Sequence, residues 1–62
     1  MEDLLKLSSV DEGDMYIIPK EIRSIKYFQT GGRANTYRIG LKAGYFFYVK
    51  EDQMEKLRKL GF

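Results

Sequence analysis

Residues 44–50 read GYFFYVK, with four aromatics in a row followed by a valine. Neighbouring side chains of a strand point to opposite faces. This strand therefore carries large apolar groups on both sides of its sheet, whereas a small domain usually covers only one. Elsewhere the pattern is simpler. Residues 4–10 predict a first strand, with Leu5, Leu7 and Ser9 on one face. Asp11-Glu12-Gly13-Asp14 reads as a turn. Residues 15–18 predict a second strand, with Tyr16 and Ile18 as its alternating apolar pair, so residues 4–18 form a hairpin. Pro19 has no N–H for a ladder and ends that strand. PKEI is a short corner in which Ile22 and Ile25 stand three apart, as in a helical turn.

Three more strands follow, at residues 25–30, 36–41 and 45–50, and make a three-stranded sheet over 25–50. Gly31, Gly32 and Asn35 accept positive φ in the first connection, and Lys42-Ala43-Gly44 forms the second. Residues 52–60 predict a helix. Asp52 stands as N-cap with Glu55 three residues on, a capping-box spacing. Met54, Leu57 and Leu60 form its buried stripe, and Gly61 fits the C′ position ahead of Phe62. Two turns of helix are too few to be stable alone, so the helix must dock on the sheet. The fold expected is a single domain, mainly β with one C-terminal helix. It would be a five-stranded antiparallel SH3-like small barrel or a twisted sheet.

Alternation assigns Ile25, Tyr27, Tyr37, Ile39, Leu41, Tyr45, Phe47 and Val49 to the core face. The opposite register would bury Lys26 and Arg38, which is costly without partners. The outward face then shows Lys26, Phe28, Thr36, Arg38, Gly40, Phe46 and Tyr48, with low ground at Thr36 and Gly40. Three readings of this face stand open. Aromatics and cations suit nucleic acid, the rings meeting bases and the cations phosphate. The same residue types make protein hot spots, including those of a self-associating surface. Alternatively the sheet curls, and the hairpin or helix covers part of the face.

Charge sharpens the choice. Five acids against Lys6 give residues 1–15 a net −4, and ten bases against four acids give residues 16–62 a net +6. A split of this kind points to an anionic partner for the basic part, or to two ends that attract each other. The chain has no cysteine and no histidine. Disulfides and Cys-based zinc sites are excluded, and with histidine go the commonest general base and metal ligand. The acidic turn has too few ligands for a calcium loop, so no metal and no cofactor is expected. Ser8 and Ser9 lack an activating partner, and no enzyme is expected. Gly31-Gly32-Arg33 is compatible with an anion-binding nest, although a plain hairpin loop accounts for it. Lys56, Arg58 and Lys59 complement the negative end of the helix dipole. No apolar run is long enough to span a membrane, and the acidic N-terminus is unlike a signal peptide. The expectation is a cytoplasmic protein.

With the strings MYIIPKEIRSIKYF and YVKEDQMEKLRKL, the chain resembles the 7-kDa chromatin proteins of thermoacidophilic archaea over residues 5–60. The resemblance implies a small SH3-like barrel whose three-stranded sheet lies in the DNA minor groove and wedges apolar side chains into a base step. Lys26 stands where that family has a tryptophan and Phe28 at a wedge position, while Phe46 and Tyr48 fall near its third-strand contacts. That family is far richer in lysine. The string LLKLSSVDEGDMYIIPKEIRSI and the later YRIGLKAGYFFYVKED are also similar to the small bacterial flagellar and swarming-motility protein family, which implies a regulatory protein contact. The expected function is DNA or other nucleic-acid binding through Lys26, Phe28, Arg33, Arg38, Phe46 and Tyr48. The alternative is a protein-interaction, regulatory or inhibitor module on the same residues.

Overall fold

The computed structural model describes residues 3–62; Glu2, part of the acidic N-terminal charge, lies outside them. Five strands form two antiparallel sheets, followed by one helix. Strands β1 (Leu5–Ser9) and β2 (Gly13–Ile17) make the first sheet. A single 3-10 turn over Pro19–Glu21 leads into β3 (Ile22–Phe28). With β4 (Thr36–Leu41) and β5 (Phe46–Lys50) it makes the second sheet, in the order β3-β4-β5. Helix α1 (Glu51–Arg58) follows β5 directly. None of the helices of the described residues is long and apolar enough to cross a membrane.

The first hairpin turns on Ser9. Its hydroxyl accepts from the backbone N–H of Asp11 (3.3 Å) and of Glu12 (3.2 Å), and Gly13 at φ 77° completes the reversal. In β2 the inward side chains are Ile17, which is buried, and Met15, while Tyr16 is exposed. The expected pairing of Tyr16 with Ile18 is thus one residue out of phase. The register Leu7↔Met15 and Leu5↔Ile17 puts the odd-numbered residues together on one face.

Leu7, Ile17, Ile39, Phe47, Val49, Met54 and Leu57 form the core, with Leu5, Met15, Ile22, Ile25, Tyr37 and Leu41 packed around it. Both sheets and the helix contribute. Burying a residue such as Leu57 stabilises by about 1.5–3 kcal/mol, and this docking holds a helix of only eight residues. Tyr27 and Tyr45, expected in the core, are more than two-fifths exposed. Tyr27 instead packs ring to ring on Tyr37, with centroids 4.8 Å apart.

The helix departs from expectation at both ends. Its N-cap is Lys50, and no side chain caps it; Asp52 lies inside the first turn. Glu55 reaches Arg58 instead of turning back on the N-terminus. At the other end Gly61 adopts φ 97°, the Phe62 N–H bonds Leu57 O (3.2 Å), and the Gly61 N–H bonds Arg58 O (3.0 Å). These two bonds form the Schellman motif expected at Gly61. Leu60, expected in the buried stripe, is exposed at the last residue before this turn. The basic helix end is not simply solvated. Arg58 pairs with Glu51 and Glu55, and the Lys56 ammonium donates to Lys6 O.

The two sheets do not merge into one closed barrel. Two backbone donors of the hairpin reach across to β5 and the helix. The Val10 N–H reaches Tyr48 O (2.8 Å) on β5, and the Ser8 N–H reaches Gln53 Oε1 (2.9 Å) on α1.

Candidate functional site

The second sheet has one face on the core and one turned away. Across the outward face the register runs in three rows. Ser24 stands opposite Gly40 and then Phe46, Lys26 opposite Arg38 and then Tyr48, and Phe28 opposite Thr36 and then Lys50. All six candidate residues meet there. The Phe28 and Tyr48 rings are 5.9 Å apart, and the Phe46 and Tyr48 rings 6.1 Å apart, edge to face. Lys26 lies 5.2 Å from the centre of the Phe28 ring. Arg38 lies between Phe28 (5.8 Å) and Phe46 (5.4 Å). Arg33 reaches in from the β3–β4 loop and sits 4.1 Å over Tyr48. Every member of the set thus has a cation–π partner, and the ring contacts of Tyr48 join the Arg33–Tyr48 pair to the rest.

The loop holds Arg33 in place. Gly31 and Asn35 take positive φ, the Asn35 N–H closes on Phe28 O (2.8 Å), and the Thr36 hydroxyl donates to Arg33 O (2.6 Å). This bond explains why Thr36, although on the outward face, is buried. The low ground expected at Thr36 is covered by the loop, and that at Gly40 is partly covered by the Ser24 hydroxyl. From the other side Asp11, in the hairpin turn, pairs with the Arg33 guanidinium at 2.7 Å. Glu12 of the same turn accepts from the Tyr45 hydroxyl, and this bond holds the Tyr45 phenol above its ordinary pKa. The acidic hairpin thus covers one corner of the basic face.

The other cations differ. Lys26 and Arg38 stand directly opposite each other across β3 and β4, and neither has an ion pair among the described residues. Like charges in this position are destabilising. The rings beneath them offset part of that repulsion, and an anion above them would remove it. Two further cations belong to the face. Lys50 follows Phe46 and Tyr48 in strict alternation, a signal that carrying the period one step further would have found. Arg23 enters through a register shift between Ile22 and Ser24, which no sequence pattern announces.

The remaining polar chemistry is structural. The Ser8 hydroxyl donates to Asp14 (2.7 Å), and with Lys6 beside it this bond holds the Asp14 carboxyl below its ordinary value. The Tyr37 phenol donates to Glu51 (2.6 Å) and accepts from Arg58 (3.3 Å). Arg58 first, and then Tyr37, keep the Glu51 carboxyl low, and Glu51 raises both partners in return. Among the described residues no three carboxylates gather as a cation's ligand set. In comparisons with protein-family models, curated proteins and solved structures, nothing matches this chain.

Proposed function

We propose that the protein is a non-enzymatic binding module that takes nucleic acid on the outward face of β3, β4 and β5. The observation that carries this reading is the unpaired Lys26–Arg38 couple set on the rings of Phe28 and Phe46. Phosphate would occupy the space over the two cations, and bases or sugars would pack on the rings. The resemblance to the chromatin proteins points the same way. So does the hairpin seam at Val10, which we read as the opening of a small SH3-like barrel. A cytoplasmic setting belongs to the same reading.

A titration of labelled 20-base-pair duplex and matching single strand, followed by fluorescence anisotropy at low and physiological salt, tests it. With phosphates on Lys26, Arg33 and Arg38, the duplex slope of log K on log salt is about −2.7, so affinity falls roughly 40-fold between 50 and 200 mM. Absence of binding at low salt would refute the proposal. It would favour the second reading, a protein-interaction, regulatory or inhibitor surface that includes self-association. One observation supports that alternative: Arg33 already holds a protein carboxylate, that of Asp11.

A further inference from the structure

Beyond the ring-and-cation patch, the outward face contains a groove of about 330 Å3, lined by Arg23, Ser24, Arg38, Gly40, Tyr45 and Phe46 among others. Its size lies at the small end of ligand clefts, which run roughly 300–1,000 Å3. Its shape follows from one row of the register. Ser24, Gly40 and Phe46 stand side by side on β3, β4 and β5. Gly40 has no side chain, so the middle of the row is a floor and its ends are walls. A Cβ on Gly40 would come within 2.7 Å of Ser24 Oγ, so the Ser24 hydroxyl overhangs the glycine, in space that any larger residue at 40 would contest. One wall is the Phe46 ring, half exposed at 51%.

The cations are placed by the irregularity in β3. Two residues of β3, Arg23 and Ser24, occupy the step that β4 makes in one, from Leu41 to Gly40. Such a bulge re-aims a side chain out of strict alternation. Arg23 therefore lines the same groove as its neighbour Ser24, with Arg38 beside them. Neither arginine has an ion pair among the described residues. The groove thus joins a glycine floor overhung by the Ser24 hydroxyl, one aromatic wall and two guanidinium groups without ion pairs.

We infer that this groove is a slot for one unstacked nucleobase, packed on Phe46 over Gly40 with its flanking phosphates on Arg23 and Arg38, and that the preferred ligand is single-stranded nucleic acid. The inference rests on the nucleic-acid reading of the face and specifies the form of the ligand. A base in a duplex is stacked on both sides and cannot enter a slot walled by a ring. A base in a single strand exposes its π-face, and stacking on an aromatic side chain is the sequence-tolerant contact such proteins use. Ser24 supplies a hydroxyl, able to donate or accept, beside the glycine floor.

The test compares oligo-dT of 20 nucleotides with a 20-base-pair duplex, by anisotropy at low salt, for the wild type and two slot-filling variants. Gly40→Thr fills the slot from its floor. Ser24→Val fills it from an exposed wall on the outer strand of the sheet, where a β-branched residue suits the backbone. Ser24→Val carries the test if Gly40→Thr does not fold, as judged by its melting curve. The expected result is oligo-dT binding at least tenfold tighter than duplex, falling about tenfold in the variants, with duplex binding changed by less than twofold. Equal binding of the two forms, unaltered by either variant, would overturn the slot and leave the broader nucleic-acid reading intact. No binding of either form by the wild type would overturn both.

Discussion

Arg33 lies 4.1 Å over the ring of Tyr48, yet it belongs to a loop and Tyr48 to the middle of a strand. Asp11 holds the same guanidinium from the turn of the first hairpin at 2.7 Å. One side chain thus joins the aromatic face, the β3–β4 loop and the acidic hairpin. If the face takes phosphate, Asp11 competes with it for Arg33. Asp11→Asn should then tighten oligonucleotide binding a few-fold at low salt. Stability should change by less than about 1 kcal/mol, because the pair is exposed. An anisotropy titration beside a urea melt reads both, and weaker binding by the variant would contradict the competition.

The facing cations predict opposite effects on stability and binding. Removing one of two like charges set across a strand pair relieves repulsion, so Lys26→Ala should melt no lower than the wild type. Under the nucleic-acid reading it should also reduce the salt slope of binding by about one, as should Arg38→Ala. If the face is instead a protein hot spot, Phe46→Ala should dominate the loss of partner binding, with little salt dependence.

Phe46 and Phe47 are adjacent but sit on opposite faces of β5. Phe47→Ala empties a core position and should cost about 3–5 kcal/mol. That is a large share of a small domain's stability, roughly 0.05–0.15 kcal/mol per residue. Phe46→Ala removes a half-exposed ring and should cost under about 1 kcal/mol. Denaturant melts of the two variants check the assignment of faces, and reversed magnitudes would show the sheet to be inside out.

The Glu51–Arg58–Tyr37 cluster joins helix to sheet and sets a pH dependence. Hydrogen bonds from Arg58 and then Tyr37 lower the Glu51 carboxyl in the folded state. Its contribution is therefore complete above the ordinary value near 4.5 and is lost as pH falls through the lower folded value. Tyr37 has the opposite sense. Its phenol is raised by Glu51, so its contribution is complete below about pH 10 and is lost as pH rises through the higher folded value. Glu51→Gln should melt below the wild type at pH 7, and the gap should close in acid. Thermal melts from pH 2 to 8 measure this, and a constant gap would mean the cluster is not linked to folding.

The outward face was legible in the sequence because a strand has only two sides. Once Ile39, Phe47 and Val49 are placed in the core, a period of two puts Arg38, Phe46 and Tyr48 together opposite them, and pairing adds Lys26 and Phe28. Short apolar runs were less informative. The strand at residues 13–17 contains Met15, Tyr16 and Ile17 in succession. Alternation alone could not choose its phase, which pairing with Leu5 and Leu7 decides.

Composition and alternation thus suffice for a mainly β chain with a closing helix, its Schellman glycine and its ring-and-cation face, because these depend on local backbone geometry and near neighbours. Contacts between distant segments depend instead on how the sheets pack. That packing brings Asp11 to Arg33 and leaves the five strands as two sheets, the hairpin bonding β5 through Val10 and the helix through Ser8. The bulge that turns Arg23 into the groove depends on strand pairing across β3 and β4. No spacing along the chain encodes these relationships, since each is the meeting of segments whose separation in sequence carries no period.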